Sequence, residues 1–151
     1  MANYYGYTRT NHFSVTDPEK LKDIVDRIRW SEGDSPFFSE ENGKYCFGAY
    51  DTIMGLSMKK DRTAQVADAE DNEHNDAERD ADKVYDALQE IVAPHDAIII
   101  TEVGYEKLRY LTAYSIIITK NDIASVDLGE TAVQRAADIL GNPDYQTLME
   151  Y

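Results

Sequence analysis

Cysteine is nearly absent from this chain: Cys46 stands alone, so no intrachain disulfide can form and no zinc cluster of the CxxC type can be built. That usage predicts a reducing compartment, the cytoplasm. Long apolar runs are missing as well, and the opening MANYYGYTRTN lacks the basic region and apolar core of a secretory signal. Neither a membrane span nor export by that route is expected. Cations are scarce: 15 Lys and Arg face 29 Asp and Glu, a formal charge of −14. Such an excess repels phosphate backbones and anionic headgroups, so direct nucleic-acid and membrane binding are not expected. Glycine-rich phosphate loops are lacking too, since neither GxGxxG nor GxxxxGK[ST] can be fitted to any segment.

What is present is one domain's worth of patterned chain. Its 151 residues can bury roughly two thirds of the surface an unfolded form exposes, and a single α+β domain over 1–151 is predicted. Residues 4–15 alternate and are rich in Tyr, Phe, Val and Thr, which predicts a strand. Thr16 with Glu19 three positions on reads as a capping box, Pro18 fits a first helical turn, and Leu21, Ile24, Val25 and Ile28 follow at helical spacing through to Trp30. Segments 36–39 and 45–50 flank Asn42-Gly43, a pair suited to a tight hairpin. Gly48 and Gly55 lie in strand-like sequence, where they predict a bulge or a close backbone approach.

Ala77, Ala81, Val84, Tyr85, Leu88, Ile91 and Val92 form the next helical stripe, with Asn75 as its expected cap and Pro94 as its stop. The run AIIITEV, the segment 108–119 and IASVDL then read as three strands of a meander. Glu130 to Leu140 closes as a helix stopped by Gly141. The fold predicted is α+β: a single antiparallel or mixed sheet of about six strands, with three helices packed mainly on one face.

Residues 66–82, VADAEDNEHNDAERDAD, hold eight Asp or Glu and one Arg. A calcium loop started at Asp71 would place Glu73 and Asn75 well but puts Asp76 where the turn needs Gly, so the match fails and no metal site is expected. Little between 57 and 74 is apolar beyond Met58 and Val66, which predicts a mobile acidic loop. Drawn as a helix, the run 66–82 has a charge density comparable with that of a single DNA strand, so Asp68, Glu70, Asp71 and Glu73 are candidates for an electrostatic lure or nucleic-acid mimic.

Tyrosine is the other abundant feature, eleven in number. Tyr and Arg are favoured where proteins bury interfaces, so Tyr5, Tyr7, Arg9, Tyr110 and Tyr114 are the candidate contact residues. A competing arrangement gathers Arg9, His12, Glu102 and Arg109 around a polar pocket, where Arg could hold an anion and His or Glu could move a proton. Cys46 has no His or Asp companion in sequence and reads as a small buried side chain.

The stretches YYGYTRTNHFSVTDPEKL, ITEVGYEKLRYLTAYSIIIT and GNPDYQTLMEY resemble segments of small uncharacterised proteins encoded by bacterial phages and conjugative elements. The resemblance spans most of the chain in texture, carries no catalytic motif, and implies an accessory or host-interference protein. The leading expectation is therefore a non-catalytic acidic factor that binds a protein partner with a basic surface and needs no cofactor. A small enzyme or ligand-binding domain is the alternative, and a homodimer built on an exposed strand or aromatic face is a third.

Overall fold

The computed structural model describes residues 5–33, 35–58, 77–106 and 110–147. Alternation in the opening segment becomes strand β1, Tyr5–Thr10, in which Thr8 and Thr10 are buried while Tyr5, Tyr7 and Arg9 are exposed. Helix α1, Pro18–Arg27, has Pro at its head and buries Leu21, Ile24 and Val25. Its cap is Asp17, one residue later than the capping-box pattern predicts: the Asp17 carboxylate accepts from the Lys20 N–H at 3.1 Å. Thr16 is diverted by tertiary structure, since its N–H and hydroxyl donate to the Ile91 carbonyl at 2.7 and 3.2 Å. Asp17→Ala should accordingly destabilise the fold by about 1 kcal/mol, read as a lower midpoint in urea, whereas Glu19→Ala should change it far less.

The helix also stops sooner than its sequence stripe. Ile28 turns to an extended conformation (φ −63°, ψ 129°) and begins strand β2, Ile28–Trp30. Strand β3, Phe37–Glu41, and strand β4, Lys44–Ala49, form the expected hairpin, with Asn42 and Gly43 at φ 54° and 77°. Positive φ at both positions is what this type of turn requires. Strand β5, Ile53–Leu56, pairs antiparallel with β2, and Arg27 locks that pairing: its guanidinium donates to the Ser57 carbonyl and its carbonyl accepts the Ser57 N–H, both at 2.8 Å.

Helix α2, Ala77–Ile91, is followed by the meander β6, Ile98–Glu106, β7, Tyr110–Ile118, and β8, Ile123–Asp127. Helix α3, Leu128–Leu140, starts directly after β8, capped by the Asp127 side chain on the Glu130 N–H at 2.9 Å. It ends at Gly141, whose φ of 64° is the left-handed stop that the sequence indicates. Asn75, the expected cap of α2, and most of the acidic 57–74 segment lie outside the described residues.

The main sheet has six antiparallel strands in the order β3-β4-β1-β6-β7-β8, and β2-β5 is a separate two-stranded sheet. Phe47 from β4, Ile98 and Ile100 from β6 and Ile118 from β7 share one core with Leu21 and Ile24 of α1, Val84 and Leu88 of α2, and Ile28 and Ile53 of the small sheet. Helices α1 and α2 and the small sheet thus cover one face of the large sheet. Helix α3 lies against β7 and β8, and Ala137 is its one buried residue.

Gly48 and Gly55 both mark close approaches. A Cβ on Gly48 would meet the Thr8 carbonyl and the Phe37 ring, and one on Gly55 would meet the Arg29 guanidinium and Asp80, which form an ion pair at 2.6 Å between β2 and α2.

Candidate functional site

In an antiparallel pair, residues directly opposite one another point to the same face, so register determines which side chains meet. Across the sheet, Tyr5, Tyr105 and Leu111 form one row, and Tyr7, Val103 and Ala113 the next. Gly48, Arg9, Thr101, Ser115 and Val126 form a third row, which Phe37 joins opposite Gly48. These rows lie on the side away from α1 and α2, and they stay in solvent: Tyr5, Tyr7, Phe37, Val103, Tyr105 and Val126 are exposed, and Leu111 is 62% exposed.

The rings are ordered against one another. Tyr5 and Tyr105 sit 5.5 Å apart between centroids, Tyr7 meets Tyr50 edge-on at 5.7 Å, and the Arg9 guanidinium lies 5.7 Å from the centre of the Phe37 ring. Where α3 leaves β8, Leu128 and Ala132 join Tyr7, Val103, Tyr105 and Leu111 around an apolar cleft of about 590 Å³. Monomeric proteins seldom leave a contiguous apolar face of this kind open to water.

A second cleft, of about 560 Å³, opens beside the head of β1. Strand β4 pairs with β1 only at Thr8 and Arg9, so among the described strands Tyr5 to Tyr7 have β6 on one side and no partner on the other. The chain leaving β4 crosses this gap as Tyr50 and Asp51. Asp51 is 2% exposed; its carboxylate accepts from the Ser31 hydroxyl and from the N–H groups of Thr52 and Glu32, each of the last two at 2.8 Å. Tyr5, Tyr7, Tyr50, Glu32 and Asp51 all line the opening.

Beneath the sheet, on the core side, lies the main polar cluster. Glu102, only 4% exposed, accepts the Ile53 N–H at 3.0 Å and the Tyr114 hydroxyl, and the Thr8 hydroxyl stands 3.2 Å from Oε1 and 2.7 Å from the Asp51 carbonyl. Burial, then the nearby charges of Glu102 and Asp82, push the Tyr85 phenol well above the usual tyrosine range, so it stays protonated at any physiological pH. This cluster joins β1, β6, β7 and β5. Its groups are occupied with one another, which is the arrangement of a structural network.

The structure divides the residues predicted for contact. Tyr5, Tyr7 and Arg9 do share the open face. Tyr114 does not: it pairs with Glu102 in register and turns its hydroxyl to that carboxyl on the covered side. Tyr110 pairs with Glu106 at the head of β7. Of the polar pocket expected from Arg9, His12, Glu102 and Arg109, the three described members are not brought together. Thr8, not Arg9, is opposite Glu102, so Arg9 and Glu102 project from opposite faces. His12 faces Glu41 at 3.9 Å on the exposed hairpin side, and Arg109 lies outside the described residues, as do Asp68, Glu70, Asp71 and Glu73.

Sequence reasoning missed Tyr105, Val103 and Leu111 on the open face, and Tyr50 and Glu32 beside the second cleft. The alternation of β6 and β7 carries the signal for the first three. Nothing local marks the last two, because a loop brings them there. Cys46 is buried. Among the described residues no group of three His, Cys, Asp or Glu side chains is placed to hold a metal, and no helix is long and apolar enough to cross a membrane. No family model, curated protein or solved structure matches the chain.

Proposed function

We propose that this chain is a non-catalytic protein-binding factor that docks its open sheet face on a partner with a basic rim, as an accessory or host-interference protein of the mobile-element kind its sequence resembles. One observation carries the reading: the side of the six-stranded sheet away from α1 and α2 leaves Tyr5, Tyr7, Tyr105, Val103 and Leu111 exposed to solvent, with the start of α3 flanking them. Aromatic rings of this kind contribute contact area while losing little rotamer freedom. The net charge of −14 supplies attraction to a basic surface, and it would steer encounter before contact.

Capture from a bacterial lysate at two salt concentrations tests this. At about 0.1 M salt the partner should be retained, and at about 1 M, where the Debye length falls to about 3 Å, it should be largely lost. The double variant Tyr105→Ser with Leu111→Ser should lower retention at low salt by about tenfold or more, as loss of central interface contacts does. Partners of neutral surface held equally at both salts, or full retention by the double variant, would end this reading.

A further inference from the structure

The cleft beside the head of β1 has a chemistry of its own. Three phenol rings, Tyr5, Tyr7 and Tyr50, line it together with two carboxyl-bearing residues, Glu32 and Asp51. Tyr50 is 82% exposed, and its ring meets that of Tyr7 edge to face. Asp51 is buried, with its carboxylate accepting from Ser31 and from the N–H groups of Glu32 and Thr52, while Glu32 is exposed and leaves its own carboxyl open to solvent. Aromatic faces attract cations through the negative potential above the ring, and carboxylates add direct charge attraction. A site with both disfavours anions and compensates the lost water of a cation better than that of a neutral group.

The nearest fixed positive charge on β1 does not occupy the gap, since the Arg9 guanidinium is held over the Phe37 ring. That contact also illustrates, within the same molecule, how a guanidinium is accommodated by an aromatic side chain on this sheet.

We propose that this cleft is a receptor for an arginine side chain presented by the binding partner. The choice of arginine over lysine follows from shape and hydration. A guanidinium is planar, stacks on rings, is weakly hydrated and can meet a carboxylate with two parallel hydrogen bonds, whereas an ammonium is compact and holds its water strongly. The site adjoins the open face through Tyr5 and Tyr7, so an arginine at the rim of a docked surface would enter it. This inference rests on the protein-binding reading and names the group its basic partner would use.

The test uses the intact chain and three small probes: N-acetyl-arginine, N-acetyl-lysine and N-acetyl-citrulline, each as its methylamide, titrated into isotope-labelled protein and followed by amide shifts. Citrulline keeps the arginine shape without the charge. The arginine probe should shift the amides of Tyr5 to Tyr7, Ser31, Glu32, Tyr50 and Asp51 and saturate with a Kd of about 1 mM, the scale ordinary for a ligand of that size. The lysine probe should bind about threefold or more weakly, and the citrulline probe about tenfold or more weakly.

Tyr50→Ala and Glu32→Gln change exposed side chains, and each should weaken the arginine probe about three- to tenfold while the rest of the spectrum stays in place. Equal shifts from citrulline, equal affinity for lysine, shifts confined to other regions, or unaltered binding by both variants would each overturn the assignment. The two readings fail separately. If Tyr105→Ser with Leu111→Ser abolishes partner capture but the arginine probe is silent, the cleft assignment alone is lost. If the probe binds as described and no partner depends on the open face, the docking reading is lost instead.

Discussion

Glu102→Ala is expected to destabilise the protein by about 3–5 kcal/mol, because the substitution removes an acceptor from buried donors on two other elements. The Ile53 N–H and the Tyr114 hydroxyl both donate to this carboxyl, and Thr8 stands beside it. Each buried donor left without its acceptor costs about 1–3 kcal/mol, and the deleted side chain leaves a void in addition. Glu102→Gln makes a sharper comparison. The amide oxygen can go on accepting from Ile53, and the amide nitrogen can donate to Tyr114, whose hydroxyl is able to accept. The loss for Gln should therefore be about 1–2 kcal/mol, well below that for Ala. Urea unfolding of the three proteins measures both differences. An Ala variant within about 1 kcal/mol of the parent would mean that the cluster contributes little to the fold.

Phe47→Ala should be comparably damaging, at about 3–5 kcal/mol, and should lower Tm by about 10 °C. Phe47 is fully buried, meets Phe13 edge-on with 6.3 Å between centroids, and donates its N–H to the Thr10 hydroxyl at 3.0 Å. Phe13 in turn exchanges backbone hydrogen bonds with Tyr45, at 2.9 and 2.8 Å. Emptying the Phe47 position would thus loosen the contact between β4 and the segment that follows β1. Phe47→Leu keeps most of the volume and should cost only about 1 kcal/mol. Thermal melts of both variants decide the matter, and near-equal losses would show that volume at this site is not what holds the two segments together.

The sequence made most of the architecture legible where a local rule and the tertiary structure agreed. All six strands of the large sheet follow from alternation or from short apolar runs. The Asn42-Gly43 turn and the Gly141 stop follow from backbone conformations that few other residues adopt. Disagreement arose where partners distant in sequence intervened. Ile28 continues the helical stripe of α1, and a three-residue strand is too short to display a period of its own, so β2 could not be told from a helix end. Its pairing with Leu56 decides the outcome. Thr16 has the form of a cap, but the Ile91 carbonyl takes its hydroxyl and Asp17 caps instead.

The candidate site was legible in part for the same reason. Alternation places Tyr5, Tyr7 and Arg9 on a common side of β1, yet which side of β6 and β7 joins them depends on register. Tyr114 and Leu111 are indistinguishable as exposed or covered until Glu102 is seen opposite Tyr114. A buried carboxyl on an apolar strand carries no local signature, and this one assigns the face of every residue beside it.

Among the described strands, the first in the chain stands in the middle of the sheet. β3 with β4, and β6 with β7 and β8, are each assembled from neighbours in sequence, while β1 is the seam between the two groups. β4 matches β1 only at Thr8 and Arg9, so most of the pairing of β1 depends on Ile98–Glu106, some ninety residues further along the chain. Closing the sheet is therefore a long-range step with the entropic cost that such contacts carry, and the tyrosine-bearing side is complete only once that seam is joined.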